Sequence, residues 1–321
     1  MLNRKFVIKK YGEEDIPGIL ELFSLSFGKE ASEEWFVWKY ARAPWSSRGY
    51  VVRHNGMVAA FYGGLRFRFM FRNRELWAYQ FCDVMTHRKY RTKLFGRNPL
   101  VIEIAKVFDK ENAMDFAFGF PSERHARLQT MMMGATSYRR LTVFRKELSV
   151  VSRFSRVRCR VRIGWDTIND AETDALWERS ARATELSIVK DSAFLRWRYR
   201  ENPAGEYQAV VFKGLLSRSI KALAVIKITG EELQIADFLL PEQGMHGIFL
   251  KAVERIAADR QVKAIVTWAN SSEPVARSLI ASGYRAQEGI PFGVRIIDEA
   301  KMREQDFYEK YSYRMGDYDA S

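Results

Sequence analysis

The chain has 321 residues, of which 47% are hydrophobic and 28% are charged, a composition typical of folded globular proteins. This length exceeds what one hydrophobic core usually supports and favours two domains of ordinary size. No apolar run reaches the roughly 18 residues that a membrane-spanning helix needs, and the first residues lack the apolar stretch of a signal peptide. We therefore expect a cytoplasmic protein without a membrane span.

The two cysteines, Cys82 and Cys159, are too few for a disulfide framework. The sequence has no CxxC or HxxxH spacing of the kind that binds zinc, so we expect no structural metal. The net charge of +13 is unevenly distributed. Residues 1–150 contain 26 basic and 15 acidic side chains, whereas residues 151–321 contain 26 and 24. The first half should therefore attract an anion, such as a phosphorylated cofactor, nucleic acid, an acidic carrier protein or a lipid surface.

Hydrophobic periodicity predicts the elements of the first half. Asn55 and Gly56 form a hairpin turn signal, and Ser32 is placed to cap a short aromatic helix. In chain order we predict strand Phe6–Tyr11, helix Glu14–Phe27, helix Ser32–Ala41, a hairpin of Tyr50–Arg53 and Met57–Arg68, strand Glu75–Thr86, helix Pro99–Asp109, strand Ala113–Phe120, helix Glu123–Met133 and strand Arg140–Glu147.

The second half repeats this order. We predict strands Tyr207–Phe212, Ile220–Ile228 and Glu232–Leu240, helix Gly247–Asp259, strand Lys263–Ala269, helix Glu273–Ala281 and strand Phe292–Ile297. Strands and helices in this sequence favour a mixed sheet with helices on both faces, in an α/β fold.

Three short segments recur in the same order in both halves, which indicates an internal duplication. The matched positions are Trp38, Tyr40 and Pro44 with Trp197, Tyr199 and Pro203, then Gln80 and Asp83 with Gln234 and Asp237, then Ala126 and Gly134 with Ala276 and Gly283. We predict domains at residues 1–150 and 151–300, followed by a tail at residues 301–321. The tail is rich in Tyr and Asp, and either packs on the surface or folds back towards the first domain.

The loop after the long strand of the first half is basic. It contains Arg88, Lys89, Arg91, Lys93 and Arg97. Asn98 and Pro99 follow, an N-cap residue and a favoured first helical residue, so the loop leads into a helix N-terminus. A strand that feeds basic side chains onto a helix N-terminus predicts a site for a pyrophosphate. The corresponding loop of the second half, residues 241–247, has no Lys or Arg, so the fold itself does not require them.

These features resemble the GNAT acyltransferase superfamily, most closely its two-domain bacterial members. The resemblance rests on residues 83–91, on Ala126 with Gly134 and Ala135, and on Asn270, Ala276, Leu279, Gly283 and Tyr284. It implies two tandem GNAT-like domains, each a mixed, mostly antiparallel sheet, and a reaction that moves an acetyl or longer acyl group from acyl-CoA to an amine of a small molecule or a protein. An acyl carrier protein is an alternative donor.

The resemblance also implies which residues hold the cofactor. In the family, a gap between two central strands admits the pantetheine arm. At the positions that match the family's strand end, the backbone of Met85, Thr86 and His87 would contact the cofactor. At the positions that match its loop, the phosphates would be held by Arg88, Arg91, Thr92, Lys93, Gly96 and Arg97. Where the family has Arg-Gly-x-Gly, this chain reads Arg91-Thr-Lys-Leu-Phe-Gly96, so the loop geometry must be modified.

Candidate catalytic residues are Asp83, His125 and Tyr138, as an amine base, a second base and a donor to the leaving thiolate. Since Asp83 recurs as Asp237, a shared structural hydrogen bond is an equally good interpretation, and His125 could be an ordinary surface residue. Trp35 and Trp45 have no counterparts in the second half, so we predict that they line the acceptor site.

Two alternatives remain open at this stage. The chain could be a degenerate GNAT-fold binding protein that has lost its cofactor. It could also be a basic nucleic-acid-binding module, since Arg alternates with aromatic residues in segment 65–72. That alternation is equally typical of a half-buried strand, so nucleic acid is the disfavoured partner.

Overall fold

A computed structural model describes residues 6–91, 94–95, 98–122, 126, 138–148, 159–203, 205–214 and 219–318. The strands are β1 (Val7–Lys10), β2 (Arg48–His54), β3 (Met57–Phe71), β4 (Arg74–Thr86), β5 (Leu94–Phe95), β6 (Asn98–Pro99), β7 (Phe116–Gly119), β8 (Tyr138–Glu147), β9 (Arg160–Ile163), β10 (Leu186–Ile188), β11 (Gln208–Lys213), β12 (Ile220–Thr229), β13 (Glu232–Leu239), β14 (Ala264–Trp268) and β15 (Arg285–Ile296).

The helices are α1 (Ile16–Phe27), α2 (Glu33–Phe36), α3 (Leu100–Glu111), α4 (Asp170–Arg182), α5 (Ser192–Leu195), α6 (His246–Asp259), α7 (Pro274–Ala281) and α8 (Glu304–Lys310). Both α2 and α5 continue into a π-helical turn, at Val37–Ala41 and Arg196–Arg200. No helix among the described residues is long and apolar enough to cross a membrane. The mixed α/β fold expected from the sequence is confirmed.

The chain forms two compact units, each assembled from separate segments. Unit 1 contains residues 1–68, 76–138 and 293–301, and unit 2 contains residues 69–75, 139–292 and 302–321. The units therefore differ from the contiguous division at residue 150 predicted from the sequence. Almost all of β8 lies within the first half of the sequence yet belongs to unit 2, and the end of β15 lies within the second half yet belongs to unit 1.

Unit 1 has the strand order β1-β2-β3-β4-β7, followed by the end of β15. Strand β2 runs antiparallel to β1 and to β3, and β15 runs antiparallel to β7, whereas β4 and β7 run parallel. Successive side chains of β3 point to opposite faces. Phe61 packs beside Phe36 of α2, with ring centroids 6.0 Å apart, and Tyr62 packs beside Phe108 of α3 at 5.6 Å. Helices therefore cover both faces of this sheet.

Unit 2 has the strand order β8-β14-β13-β12-β11-β9. Among these neighbouring strands, β13 and β14 run parallel and the other described pairs are antiparallel. One face carries α6 and α7, whose buried apolar residues join those of β11 to β13 in one core. Strand β10 pairs with residues 69–71 at the tip of β3. The central β3–β4–β7 pattern of unit 1 thus recurs here as β12–β13–β14.

The tail is a buried part of unit 2. Tyr311 and Tyr313 are at most 2% exposed, and Asp317 is 2% exposed. The backbone N–H of Ser312 donates to the carbonyl of Leu186. The tail therefore does not merely pack on the surface, because its side chains complete the core of unit 2. It also contacts residues of the first half of the sequence, since the ring centroids of Tyr311 and Phe69 are 5.4 Å apart and Oδ1 of Asp306 lies 3.5 Å from Nη2 of Arg72.

Other differences from the predicted elements are local. Helix α3 begins at Leu100 with Pro99 as its cap, one residue later than predicted. Helix α4 was missed because only Leu176 and Trp177 supply large apolar residues, which leaves its periodicity weak. The predicted helix Glu123–Met133 lies outside the described residues, except for Ala126.

The alternation in segment 65–72 belongs to a half-buried strand. Leu65, Phe67, Phe69 and Phe71 are buried. The guanidinium of Arg66 instead lies over the ring of Trp77, 4.0 Å from its centroid, and that of Arg68 lies 5.8 Å from the ring of Trp45. These arginines stack on the protein's own aromatic rings, which weakens the reading of this segment as a nucleic-acid groove.

Candidate functional site

The two parallel strands of unit 1 stop pairing before β4 ends. Their register runs from Ala78 opposite Phe116 to Gln80 opposite Phe118, and β4 then continues for six residues to Thr86. In unit 2, β13 and β14 stop pairing at Ile235 and Thr267, although β13 reaches Leu239. Each long strand therefore runs on beyond the pairing with its parallel neighbour, at the place where the resemblance implies a gap.

Asp83 lies at this gap, in a backbone conformation with φ of +50°. Asp is one of the few residues that tolerate this left-handed region. Neighbouring side chains of a regular strand point to opposite faces, yet Cys82 and Asp83 both reach the hydroxyl of Tyr40, at 3.4 and 2.7 Å. The local departure from strand geometry makes this convergence possible.

The carboxylate of Asp83 is also ion-paired. Its Oδ2 lies 2.8 Å from Nζ of Lys39, and the two side chains are only 9% and 2% exposed. Burial, with the Asp83 carboxylate next to it, holds the pKa of Tyr40 well above the usual value. Tyr40 therefore stays a neutral hydrogen-bond donor, and Asp83 is held between a hydroxyl and an ammonium group.

The second unit contains the same arrangement. The hydroxyl of Tyr199 donates to Oδ2 of Asp237 over 2.7 Å, and Nζ of Lys190 lies 2.8 Å from the same oxygen. The carboxylate of Asp317, from the tail, lies 2.7 Å from the same ammonium group. Burial raises the pKa of Asp237, an effect opposed by Lys190. The aspartate and tyrosine thus occupy equivalent places in both units, while the cation comes from different positions in the sequence.

A basic turn follows β4. Residues 88–90 form a 3-10 turn capped by His87, whose Nδ1 accepts from the backbone N–H of Lys89 over 3.3 Å. Arg88, Lys89 and Arg91 are exposed, and Nε of Arg91 donates to the carbonyl of Thr86 over 3.0 Å. Three exposed cations therefore surround the end of the strand.

The backbone groups expected to contact a cofactor differ in availability. The N–H of His87 donates to the carbonyl of Ala59 over 2.9 Å, so it is already used within the sheet. Met85 is buried at 2% exposure, while Thr86 is half-buried. The predicted positions Thr92, Lys93, Gly96 and Arg97 lie outside the described residues, as does the candidate base His125.

The two predicted acceptor-wall tryptophans are both half-buried in unit 1. Nζ of Lys39 lies 4.6 Å from the ring centroid of Trp35, which places this ring beside the Lys39–Asp83 ion pair. Trp45 instead packs against Phe67, with centroids 6.0 Å apart. Of the two, Trp35 is the residue brought into direct contact with the Asp83 cluster.

Tyr138 begins β8 and lies against Gly293 of β15, where a Cβ atom would overlap its ring. It also lies within electrostatic range of the hydroxyl of Tyr62. Sequence reasoning missed Lys39 as the partner of Asp83. The available signal was the placement of Lys39 between the repeated Trp38 and Tyr40, in a segment assigned only to the core. Among the described residues, no cluster of three His, Cys, Asp or Glu side chains could hold a metal ion.

Comparisons with known proteins agree with this geometry. Residues 7–127 match the acetyltransferase (GNAT) domain family. The search against curated proteins gives no match. A probable N-acyltransferase of Enterococcus faecalis V583, described as a conserved protein of unknown function, has a similar structure, with a TM-score of 0.67 and 11% identity over 96% of this chain and 75% of that chain.

Two further solved structures share the fold. A GCN5-related N-acetyltransferase from Anabaena variabilis ATCC 29413 has a TM-score of 0.67 and 12% identity, covering 92% of this chain and 74% of its own. Saccharomyces cerevisiae N-myristoyltransferase with bound myristoyl-CoA has a TM-score of 0.56 and 10% identity, covering 92% and 83%. At such identities the likeness concerns the fold alone. The chain thus shares the fold of GNAT acyltransferases, and its residues 7–127 match the acetyltransferase (GNAT) domain family.

Proposed function

We propose that this chain is an N-acyltransferase that takes an acetyl or longer acyl group from acyl-CoA and transfers it to an amine of a small molecule or protein. The observation that carries the proposal is the turn of Arg88, Lys89 and Arg91 at the end of β4, where β4 has separated from β7. This turn lies within the segment that matches the GNAT family. Exposed cations beside a gap in a sheet suit a ligand that has a pyrophosphate and a narrow uncharged arm.

Acyl-CoA supplies an activated thioester. The amine nitrogen attacks the carbonyl carbon, the carbon–sulfur bond breaks, and one proton passes from the amine to the leaving sulfur. In this proposal Arg88 and Arg91 hold the phosphates. Thr92, Lys93, Gly96 and Arg97 do the same, because they occupy the positions of the family's phosphate-binding loop. Met85 and Thr86 border the acyl-CoA arm. An acyl carrier protein is an alternative donor, because its acidic surface would suit the same cations.

The acceptor approaches from the side of Trp35 in this proposal. The half-buried ring of Trp35 contacts Lys39, which is paired with Asp83. We propose that Asp83 positions the strand end, since Asp237 makes the same contacts where the basic loop is missing. His125 stays the candidate base and Tyr138 the candidate proton donor. If they act so, His125→Gln and Tyr138→Phe lower kcat by about 10²–10⁴-fold.

The proposal is tested by the stabilisation that acyl-CoA gives to the full chain, since a ligand that binds only the folded state raises its melting temperature. The double variant Arg88→Glu/Arg91→Glu should abolish the shift that acetyl-CoA produces in the unaltered chain. Arg162→Glu is the matched control, because Arg162 is an exposed arginine of β9 in unit 2. An unchanged shift in the double variant contradicts the site assignment.

The same assay separates the alternative functions. An acyltransferase should also release CoA thiol when acyl-CoA is mixed with amine acceptors. A degenerate binding protein that has lost its cofactor would give neither the shift nor turnover. A nucleic-acid-binding module would respond to an oligonucleotide and not to acyl-CoA.

A further inference from the structure

Unit 2 contains a cavity of about 160 Å³ beside the end of β13, which we call the β13 cavity. Its apolar wall includes Trp177 of α4, Leu239 of β13 and Pro274 of α7. The tail completes the wall with Ser312 and Arg314. An engineered apolar cavity of about 150 Å³ is known to bind benzene. The β13 cavity is therefore large enough for a molecule with one ring.

The β13 cavity lies at the place in unit 2 that corresponds to the basic turn of unit 1. Leu239, Leu240 and Pro241 follow Asp237 at the end of the long strand, and His246 begins the next helix. In unit 1 the corresponding segment contains Arg88, Lys89 and Arg91, whereas residues 241–247 contain no Lys or Arg. Unit 2 thus has a concave site at this place, and the loop beside it has none of the basic side chains found in the turn of unit 1.

Two polar groups in the wall are suited to hydrogen bonding with a ligand. Oγ of Ser180 is buried and has no hydrogen-bond partner among the residues that the structure describes. A buried hydroxyl without a partner is unfavourable unless a ligand or water satisfies it. The ring of His246 is 6% exposed, and its Nδ1 lies 3.1 Å from Oγ of Ser278.

Charged groups in and behind the wall balance one another. Lys190 lies between Asp237 and Asp317, and Arg314 is paired with Glu273 at 2.8 Å. Arg198 donates to the carbonyl of Gly316 and adds a third cation to these three carboxylates. Burial lowers the pKa of His246; Glu273 opposes this shift and Arg314 adds to it. The lowered pKa favours the neutral imidazole. A charged ligand would therefore add a buried charge without a partner.

From this combination of size, hydrogen-bonding groups and balanced charge, we infer that the β13 cavity is a second ligand site, which takes a small uncharged molecule of about one ring that carries an amide or hydroxyl group. The site is separate from the acyl-CoA site proposed in unit 1, and all of its wall residues belong to unit 2.

The test uses the full chain and three probes with the same ring, namely benzamide, benzoate and benzylamine, with binding measured by calorimetry and ligand-observed NMR. Benzamide should bind at least about tenfold more tightly than either charged probe, because each charged probe loses solvation without gaining a partner. Ser180→Ala should weaken benzamide binding about two- to tenfold by removing one hydrogen bond.

Thr184→Trp places an indole in the wall and should abolish benzamide binding, whereas Thr229→Trp, at an exposed position of β12, should leave it unchanged. Circular dichroism checks the fold of each variant. If Thr184→Trp does not fold, the Ser180→Ala result decides. The inference is overturned if benzamide does not bind, if the three probes bind equally, or if benzamide affinity is the same in Ser180→Ala or in a folded Thr184→Trp. Acetyl-CoA stabilisation of the same variants reports separately on unit 1.

Discussion

The hydroxyl of Tyr199 donates to the carboxylate of Asp237 over 2.7 Å, the same length as the bond from Tyr40 to Asp83 in unit 1. In both units the tyrosine lies on a π-helical turn that continues a four-residue helix, and the aspartate lies on the strand that has a parallel neighbour. The basic turn is found in unit 1 only. The hydrogen bond therefore belongs to what the two halves share, and the cations to what distinguishes them.

Asp83→Asn should destabilise the chain by about 3–5 kcal/mol, because it leaves the buried Lys39 without this carboxylate. Asp237→Asn should cost less, because Lys190 keeps its ion pair with Asp317. Urea unfolding monitored by circular dichroism measures this effect. Asp298→Asn, at a more exposed ion pair, should change stability by less than about 1 kcal/mol. If Asp83→Asn abolished acyl transfer while leaving the urea midpoint unchanged, Asp83 would be a catalytic residue and our positioning role would be wrong.

Gly63→Ala and Gly316→Ala should both disturb the tyrosine–aspartate bond. A Cβ at either position would overlap the hydroxyl of the partner tyrosine, Tyr40 for Gly63 and Tyr199 for Gly316. Overpacking of this kind typically costs about 1–3 kcal/mol, since the tyrosine must shift. Thermal unfolding reads out the loss. Gly244→Ala is the control because a Cβ there meets nothing within 4 Å. Equal melting temperatures for all three variants would contradict the packing argument.

Truncation after Lys301 should unfold unit 2. It removes Tyr311 and Asp317 from the buried core and leaves Glu273 without Arg314. Loss of one buried ion-pair partner alone costs about 3–5 kcal/mol, and the lost apolar burial adds to this. Far-UV circular dichroism and urea unfolding should show the loss, whereas truncation after Tyr318 should leave the transition in place. A chain ending at Lys301 that unfolds at the same urea concentration would refute the structural role of the tail.

Stability should fall between pH 7 and pH 5 through His246. Burial lowers its pKa in the folded chain, whereas the unfolded chain takes up the proton near pH 6.5. The unfolded state therefore binds more protons as the pH falls below about 6.5, which destabilises the fold by at most about 1.4 kcal/mol per pH unit until the folded pKa is reached. His246→Gln should flatten this part of the profile in urea titrations. An identical slope in the variant would exclude His246 as the cause.

Part of the site was predictable from the sequence. The repeated Tyr40 and Asp83 were visible as a pattern, because a structural bond kept in both halves preserves residue identity at both ends. The lysines that pair with these aspartates were not visible in the sequence. Lys39 and Lys190 do not occupy matching positions of the two halves, and they reach Asp83 and Asp237 only in the folded chain. The positive φ of Asp83 was hidden for the same reason, because backbone conformation at a single Asp has no sequence signature.

The sequence by itself determined most of the strand and helix order outside residues 148–206 and the tail, the duplication pattern and the basic turn, because these depend on local periodicity and on charge over a few neighbouring residues. Only the tertiary structure decided where β8, the end of β15 and the tail belong. Strand pairing and core burial are made between residues more than a hundred positions apart, as for Arg198 with Gly316, and no local pattern specifies which distant segment will complete a sheet. The β13 cavity depends on the same long-range packing, since the tail closes a wall that residues 151–300 leave open.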